Sequence, residues 1–307
     1  MLGQRRAHRQ QPGAVTWSSA SESFLRRDVS VGTRRVYRLT LDHVGQQVGA
    51  ERPLDEISGE ELVEALQVAY GHLSPASWNR VVATVRSFYG YASRRGWVDE
   101  DVSRGFERRR VVEDHGKALS HAELERLLTS RTASLRDRAL WRLLYETAAR
   151  AHEVLQLNVE DVDLERRRAH TVRKGGDRDV MHFQSGAVRL LPKVIAGRTS
   201  GPLFLAEGVP AASRVPALSD LDPSSGRARL SYRRAAEVFK AASGGRTLHQ
   251  LRHTALTRLA EDAVPLPLLL AKSRHAGLRS LQHYARPGEE AVARLTAEHD
   301  PARRRPR

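Results

Sequence analysis

Apolar residues in the first third of the chain recur at the three- and four-residue spacing of amphipathic helices. Three local signals mark helix starts: Thr33 as a cap, Ser58-Gly59-Glu60-Glu61 as a capping box, and Ser74 before Pro75. The pattern predicts a four-helix unit over residues 16–107. The residues predicted to face its core are Trp17, Ala20, Phe24, Leu25, Val36, Tyr37, Leu39, Thr40, Val44, Val48, Trp78, Val81, Val82, Val85, Phe88 or Tyr89, and Ala92.

Helical patterns resume after a polar stretch. A capping box at Ser120 opens one helix, and residues 135–145 form a second, buried one. Arg150 begins a short helix whose inward residues are Val154, Leu155 and Leu157. A further helix over residues 230–242 places Val238 and Phe239 in the core. These elements predict a second unit that is again mainly helical.

Two strand patterns lie inside this second unit. Residues 168–173 and 178–183 alternate as strands do, and the segment between them is a tight, Gly-containing hairpin, Lys174-Gly175-Gly176-Asp177. Residues 197–226 are rich in loop-forming residues and give no assignable pattern. The predicted fold is therefore mainly α with a small β-sheet.

The chain near its C-terminal end carries both a helical stripe and a concentration of basic side chains. Leu248, Leu251, Ala255 and Leu259 recur at helical spacing. Two prolines at 265 and 267 interrupt the stripe before three leucines at 268–270 resume it. We expect two or three short helices here.

Length and charge divide the chain further. Its 307 residues suffice for two domains. We predict a flexible basic arm at 1–15, a helical domain at 16–107, a linker at 108–116, a mixed α/β domain at 117–300 and a basic tail at 301–307. The Arg108-Arg109-Arg110 run suggests a linker that follows a charged surface.

The net charge of +15 and the pI near 10.9 indicate a polyanionic partner, most often nucleic acid. A generally basic protein without such a partner is the alternative. Nucleic acid is therefore the partner we expect, and each candidate contact could instead belong to a solvated face. The candidate DNA-binding residues are Thr33, Arg35, Asn79, Arg80, Arg86, Arg108, Arg109 and Arg110.

Composition also excludes several classes. The chain has no cysteine, which removes disulfides, thiolate metal sites and thiol nucleophiles. No apolar run approaches the ~18 residues of a membrane span, and no signal peptide is evident. These features suit an intracellular protein, and we expect no membrane contact.

The spacing of two histidines first suggests a zinc site. His249 and His253 are four apart, as in the His-Glu-x-x-His helix. The position of the glutamate base is Gln250, which cannot take a proton, and Arg252 would hold a fixed positive charge beside the metal. Arginine and histidine on one face suit a phosphate better than a cation, so we predict no metal and no cofactor.

Five basic groups and one phenol stand out for chemistry, although they are far apart in sequence. Spacing alone does not establish that they converge. Only five lysines occur among 51 basic residues, and an ammonium retained in so arginine-rich a chain can serve as a titratable group. The six residues are Arg150, Lys174, His249, Arg252, His275 and Tyr284.

These segments resemble the tyrosine recombinase, or phage integrase, family. Residues 147–157 resemble its first arginine box, Thr-x-x-Arg-x-x-Glu-Val-x-x-Leu, and Lys174 resembles its hairpin lysine. His249-x-Leu-Arg252-His253-Thr254 resembles its His-x-x-Arg box. His275 and Tyr284, nine residues apart, resemble its second histidine and its nucleophile. The resemblance covers essentially the whole chain, with a SAM-like core-binding domain before the catalytic domain.

The resemblance implies DNA strand exchange through a 3′-phosphotyrosine, without metal or ATP. A free tyrosine has a pKa of ~10, so its ionisation at pH 7 costs about 4 kcal/mol, which stabilisation of negative charge must offset. Arg150 and Arg252 suit the non-bridging phosphate oxygens, and Lys174 can protonate the departing 5′ oxygen. The expected supporting roles are a phosphate hydrogen bond from His275, help with the tyrosine proton from His249, orientation of the cations by Glu153, and packing or hydrogen bonding by His253.

The resemblance also implies an assembly. Four protomers would act on two paired DNA sites, each passing a C-terminal segment, residues 291–297, to a neighbour, and a monomer free in solution is compatible with this. Two departures from the family pattern, Ala149 and Ser273-Arg274, are expected to alter loop geometry without removing chemistry. Alternatives are a type IB topoisomerase, which relaxes DNA as one protomer, and a DNA-binding regulator that has lost activity.

Overall fold

The computed structural model describes residues 15–99, 101–111, 118–172, 178–274, 281, 293 and 296–297. It divides into two compact units, Met1–Glu113 and Asp114–Arg307, called here the N-terminal and C-terminal units. The predicted site residues Lys174, His275 and Tyr284 lie outside the described residues, as do the basic tail and most of the predicted 1–15 arm and 108–116 linker. Of the exchanged segment predicted at 291–297, only 293, 296 and 297 are described. No helix among the described residues is both long and apolar enough to span a membrane.

The N-terminal unit contains the four predicted helices. They are α1 (Trp17–Leu25), α2 (Val31–Val48), α3 (Gly59–Tyr70) and α4 (Pro75–Arg94). The capping box at Ser58 and the Ser74 cap are both present, because each hydroxyl accepts an otherwise unpaired N–H of the first turn. Phe88 of α4 lies at the centre of the core, 5.0 Å from the Trp17 ring and 5.5 Å from that of Phe24.

The prediction for α2 was wrong in two respects. The helix is capped by Ser30, and Thr33 lies inside its first turn. Leu39, expected in the core, is 50% exposed, as is Val36. The reason is a close approach of Trp17 to Gly45, where an added Cβ would come within 2.7 Å of the indole nitrogen. This contact directs the Gly45 face of α2 inward and leaves Leu39 on the far side.

The C-terminal unit surrounds a small antiparallel sheet with helices. The strands β1 (Val162–Asp163), β2 (Arg168–Val172) and β3 (Arg178–His182) pair in that order, with Ala169 opposite Met181. The helices are α5 (His121–Leu128), α6 (Leu135–Thr147), α7 (Ala151–Leu155), α8 (Ser185–Ile195), α9 (Tyr232–Ala242), α10 (Leu248–Glu261) and α11 (Leu266–Ser273). The expectation of a mainly helical fold with a small sheet is confirmed.

Helix α8 was not predicted, and its start shows why. The first turn lacks a local side-chain cap. Instead, the Glu146 carboxylate of α6 accepts the backbone N–H groups of Gln184 at 2.8 Å and Ala187 at 3.1 Å. A distant carboxylate therefore satisfies donors that a neighbouring Ser, Thr, Asp or Asn usually accepts.

Candidate active site

The Arg150 side chain is hydrogen-bonded to Glu153 but remains half exposed. Its backbone N–H donates to Glu153 Oε2 at 3.0 Å, and its Nη1 donates to Glu153 Oε1 at 2.9 Å. The side chain is nevertheless 49% exposed, because it precedes α7 at the surface of the unit. Glu153, predicted to orient the cations, thus holds Arg150 in a position from which it can reach an anionic ligand.

Arg252, on α10, is only 1% exposed. Its Nη1 donates to the Ala148 carbonyl at 2.5 Å, and its Nη2 donates to the Ser273 carbonyl at 2.7 Å. These two carbonyls belong to the C-terminal ends of α6 and α11, where helices leave acceptors without partners. One guanidinium therefore joins two helix ends. One of its two acceptors, the Ala148 carbonyl, belongs to the residue two positions before Arg150.

Arg274 is the unexpected member of the cluster. It follows α11 in the left-handed region, at φ 54° and ψ 36°, a conformation that costs a non-glycine residue about 1–2 kcal/mol. Its side chain is 4% exposed, donates through Nη2 to Glu153 Oε2 at 2.9 Å, and places Nε 3.7 Å from Asp179 Oδ2 of β3. The expectation that Arg274 only alters loop geometry was incomplete, since it adds a buried cation.

Ala149, the other departure from the family pattern, is buried, and the residue before it, Ala148, is in the left-handed region at φ 49°. Ala148 ends α6 and presents the carbonyl that Arg252 binds. Both left-handed residues are thus linked to Arg252. Ala148 supplies one of its carbonyl acceptors, and Arg274 directly follows Ser273, which supplies the other.

This geometry agrees with the sequence comparisons. Residues 117–290 match the model of the phage integrase family, and residues 22–96 match its N-terminal SAM-like domain. The chain belongs to the phage integrase family. Its enzyme class is accordingly that of the tyrosine-type site-specific recombinases, and the resemblance inferred from the motifs is confirmed.

Relatives and solved structures support the same family fold. Tyrosine recombinase XerC of Roseiflexus castenholzii is 29% identical over 183 residues, which are 55% of this chain and 58% of that protein. Tyrosine recombinase XerD of Mycobacterium leprae is 28% identical over 287 residues, 85% of this chain and 88% of its own. The Tn1549 transposon integrase in complex with circular intermediate DNA superimposes with a TM-score of 0.70 at 17% identity, covering 92% of this chain and 99% of that one.

A second solved structure has the same fold. The lambda integrase tetramer bound to a Holliday junction gives a TM-score of 0.67 at 14% identity, covering 86% of this chain and 78% of the lambda chain. At such identities the likeness concerns the fold alone. It includes the helical N-terminal domain followed by the catalytic domain, as the sequence predicted.

Charge in the cluster is governed by the shared carboxylate. Burial by itself would raise the pKa of Glu153, but the hydrogen bonds and positive charges of Arg150 and Arg274 outweigh it, so the pKa lies below its ordinary value. Glu153 is therefore a carboxylate at neutral pH. Because both arginines stay protonated, the three groups together carry a net positive charge.

Lys272 is a further ammonium near the cluster that the motif comparison passed over. Its Nζ donates to the His182 carbonyl at the end of β3, at 2.8 Å. Burial and the nearby charge of Arg274 lower the pKa of Lys272 to about 8, with Glu146 opposing the shift. The sequence signal that could have identified Lys272 is the rarity of lysine, since the chain has only five lysines.

The two histidines of α10 differ in accessibility. His249, in the first turn, is exposed, whereas His253 is half-buried with Nδ1 3.2 Å from the Thr257 hydroxyl. Thr257 is thus one partner of His253, in line with the hydrogen-bonding role expected of it. Over the described ranges, no group of three or more His, Cys, Asp or Glu side chains could hold a metal ion.

Three candidate DNA-binding residues form hydrogen bonds within the N-terminal unit. The Asn79 amide bonds both backbone groups of Arg109, at 2.8 and 2.9 Å. Arg86 donates to the Ser103 carbonyl at 3.3 Å and to that of Phe106. Arg109 donates to the Gly71 and Leu73 carbonyls at 2.9 and 3.0 Å and stacks on Trp78. These side chains fix the 103–109 segment against α4 and the end of α3.

The remaining candidate DNA-binding residues are half-buried or exposed. Thr33 is half-buried, and its hydroxyl is 2.8 Å from that of Ser30. Four of the candidate arginines are exposed, and one of them, Arg80, also donates to the Ser77 hydroxyl at 2.9 Å. The exposed candidates are Arg35, Arg80, Arg108 and Arg110.

Proposed function

We propose that this protein cleaves and rejoins double-stranded DNA at specific sites through a 3′-phosphotyrosine formed on Tyr284. The phenol oxygen attacks the scissile phosphorus and forms a P–O bond, while the bond from phosphorus to the 5′ oxygen breaks. Attack by a 5′ hydroxyl on the phosphotyrosine reverses the step and rejoins the strand. The bond energy is conserved in the phosphotyrosine, so the exchange requires no ATP.

Basic side chains supply the positive charge that the transition state needs, in place of a metal ion. Arg150 and Arg252 bind the non-bridging oxygens, and His275 donates a further hydrogen bond. His249 assists removal of the phenolic proton, and Lys174 delivers a proton to the departing 5′ oxygen. Arginine releases protons poorly, which is why a lysine is assigned to the last step.

One observation carries this proposal. Arg150 and Arg252 are 102 positions apart in sequence, yet Arg252 Nη1 bonds the carbonyl of Ala148, two residues before Arg150. Spacing along the chain could not establish that convergence. Glu153, bound to both the main chain and the guanidinium of Arg150, fixes the exposed member of the pair.

The same proposal extends to the DNA contacts, the number of protomers and the location in the cell. Both domains, at 16–107 and 117–300, contribute to DNA binding, with the exposed arginines of the first contacting phosphates. Four protomers act on two paired sites, an arrangement supported by the tetramer reported for lambda integrase on a Holliday junction. The DNA substrate implies a cytoplasmic, nucleoid-associated protein.

The test begins with a duplex selected by the protein from a random-sequence pool and nicked near its centre, so that cleavage cannot be reversed. On denaturing gels we expect wild type and Tyr232→Phe, which alters an exposed tyrosine of α9, to form a covalent adduct. Tyr284→Phe should form none. An adduct in Tyr284→Phe would move the nucleophile elsewhere, and none in wild type would refute strand cleavage. Relaxation of supercoiled DNA without recombination of paired sites would favour a topoisomerase.

A further inference from the structure

We infer that Arg274 is a positioning residue for strand cleavage, which acts through Glu153 on Arg150. This inference rests on the proposed function, since it assigns a role within the same site. Arg274 touches no phosphate in this account. It determines where the Arg150 guanidinium lies and how much of its charge remains for a ligand.

The first support is that two arginines share one carboxylate. Glu153 Oε1 accepts from Arg150 Nη1 at 2.9 Å, and Glu153 Oε2 accepts from the Arg150 backbone N–H at 3.0 Å and from Arg274 Nη2 at 2.9 Å. The carboxylate is thus oriented from both sides. Among the described residues, Arg274 is the hydrogen-bond partner of the Glu153 carboxylate that is independent of Arg150.

The second support is the contrast in exposure. The Arg150 side chain is 49% exposed and the Arg274 side chain only 4%. A lone Glu153 carboxylate would cancel the charge of Arg150, because opposite charges at hydrogen-bond distance neutralise each other's field at a ligand. The buried cation compensates that carboxylate from within, so the exposed guanidinium retains its attraction for a phosphate.

The third support is the link to the strand that follows the Lys174 hairpin. Arg274 Nε lies 3.7 Å from Asp179 Oδ2 of β3, too far for a hydrogen bond, and within the described ranges this buried Nε has no hydrogen-bond partner. Arg274 therefore contacts α7 and β3 together. A glycine, which the left-handed backbone would favour, could make neither contact.

These contacts predict an unusual outcome for Arg274→Gly, a change that suits the backbone but removes the cation. With the nicked duplex selected above, at saturating protein, we expect adduct formation to slow by about 10- to 100-fold while DNA affinity changes little, as expected when a reacting group is misplaced. Arg274→Lys should retain part of the rate. Arg167→Gly is the matched control, since Arg167 is also left-handed, at φ 51°, but exposed.

A double-mutant cycle tests whether the effect passes through Glu153. In a Glu153→Gln background, Arg274→Gly should slow the adduct by less than about twofold, because residues that act through one another are not additive. An undiminished effect in that background, or a wild-type rate in Arg274→Gly alone, would overturn the inference. Melting curves verify that each variant is folded.

A second measurement needs no DNA and so separates failure of the inference from failure of the proposed function. The Glu153 carboxylate can be titrated by ¹³C NMR in the full chain, where Arg150 and Arg274 contact it and Asp179 and Lys272 lie near Arg274. Arg274→Gly should raise the pKa of Glu153, and Arg167→Gly should not. An unchanged pKa would contradict the inference whether or not DNA is cleaved. A raised pKa without any wild-type adduct would instead refute the proposed reaction and leave only the coupling of Arg274 to Glu153.

Discussion

Single side chains in the C-terminal unit combine structural and chemical roles. Arg252 satisfies the carbonyls that end α6 and α11, and its burial keeps a permanent positive charge inside the unit. Burying a charge without partners is costly, but the two backbone carbonyl acceptors offset part of that cost. Removal of Arg252 should therefore disturb folding as well as catalysis, which makes it a poor first target for mutation.

Lys272 offers a cleaner prediction at this scale, based on pH. Its pKa is about 8 in the folded protein, below the ordinary lysine value, because of burial and Arg274. Between pH 8 and about 10.4 the unfolded chain then binds more protons than the folded one, so stability should rise with pH by up to about 1.4 kcal/mol per unit. Lys272→Met should lack this increment in urea-unfolding free energies.

The control for that experiment is Lys193→Met, which removes an exposed lysine of α8. Its curve of stability against pH should run parallel to that of wild type. If Lys272→Met also runs parallel from pH 7.5 to 9.5, Lys272 does not titrate with a lowered pKa and its environment is more polar than the contacts indicate.

At the scale of elements, the ends of helices and strands are held by distant groups. Glu146 caps α8 across 38 residues, and Lys272 binds the end of β3 across 90. The 103–109 segment is fixed to α4 in the same way, by Asn79 and Arg86. Such contacts give the polar residues Asn79 and Arg86 of α4 a structural role of their own, apart from the DNA contacts predicted for them.

Asn79 and its neighbour Arg80 therefore should respond differently to truncation. Asn79→Ala leaves the N–H and C=O of Arg109 without their amide partner and should destabilise the N-terminal unit by about 1–3 kcal/mol. Arg80→Ala removes an exposed side chain and should change stability by less than about 0.5 kcal/mol. Urea unfolding of both variants distinguishes the cases, and equal losses would contradict the assignment.

At the scale of the whole molecule, charge dominates. The chain carries +15 overall, and many of its arginines are exposed. Several others, such as Arg86 and Arg109, donate to backbone carbonyls inside the N-terminal unit, so net charge overstates the number of groups free to meet phosphates. The exposed fraction should set the salt dependence of DNA binding.

We expect the logarithm of the DNA association constant to fall linearly with the logarithm of salt concentration, by about 0.9 per phosphate contacted. Arg110→Ala, which removes an exposed candidate contact, should reduce the slope by about one and weaken binding to all sequences similarly. Titrations at several salt concentrations with selected and scrambled duplexes test this. A slope near zero for wild type would contradict phosphate-dominated binding.

The sequence by itself determined what depends on near neighbours. Apolar spacing located helices α1 and α4, the capping boxes at Ser58 and Ser120 located helix starts, and the hairpin signal located β2 and β3. The family motifs identified the class of chemistry. These features were predictable because their physical causes act within about one helical turn or one hairpin.

Tertiary structure decided what depends on partners far along the chain. The bond from Arg252 to Ala148 spans 104 residues, and that from Arg274 to Glu153 spans 121. The Trp17–Gly45 contact likewise sets which face of α2 is buried. No local pattern encodes such pairs, because a guanidinium has the same propensities whether it meets water, a carbonyl or a carboxylate. The tertiary structure alone buries Arg252 between two helix ends and leaves Arg150 exposed. It also brings Arg274 to the carboxylate of Glu153 that binds Arg150.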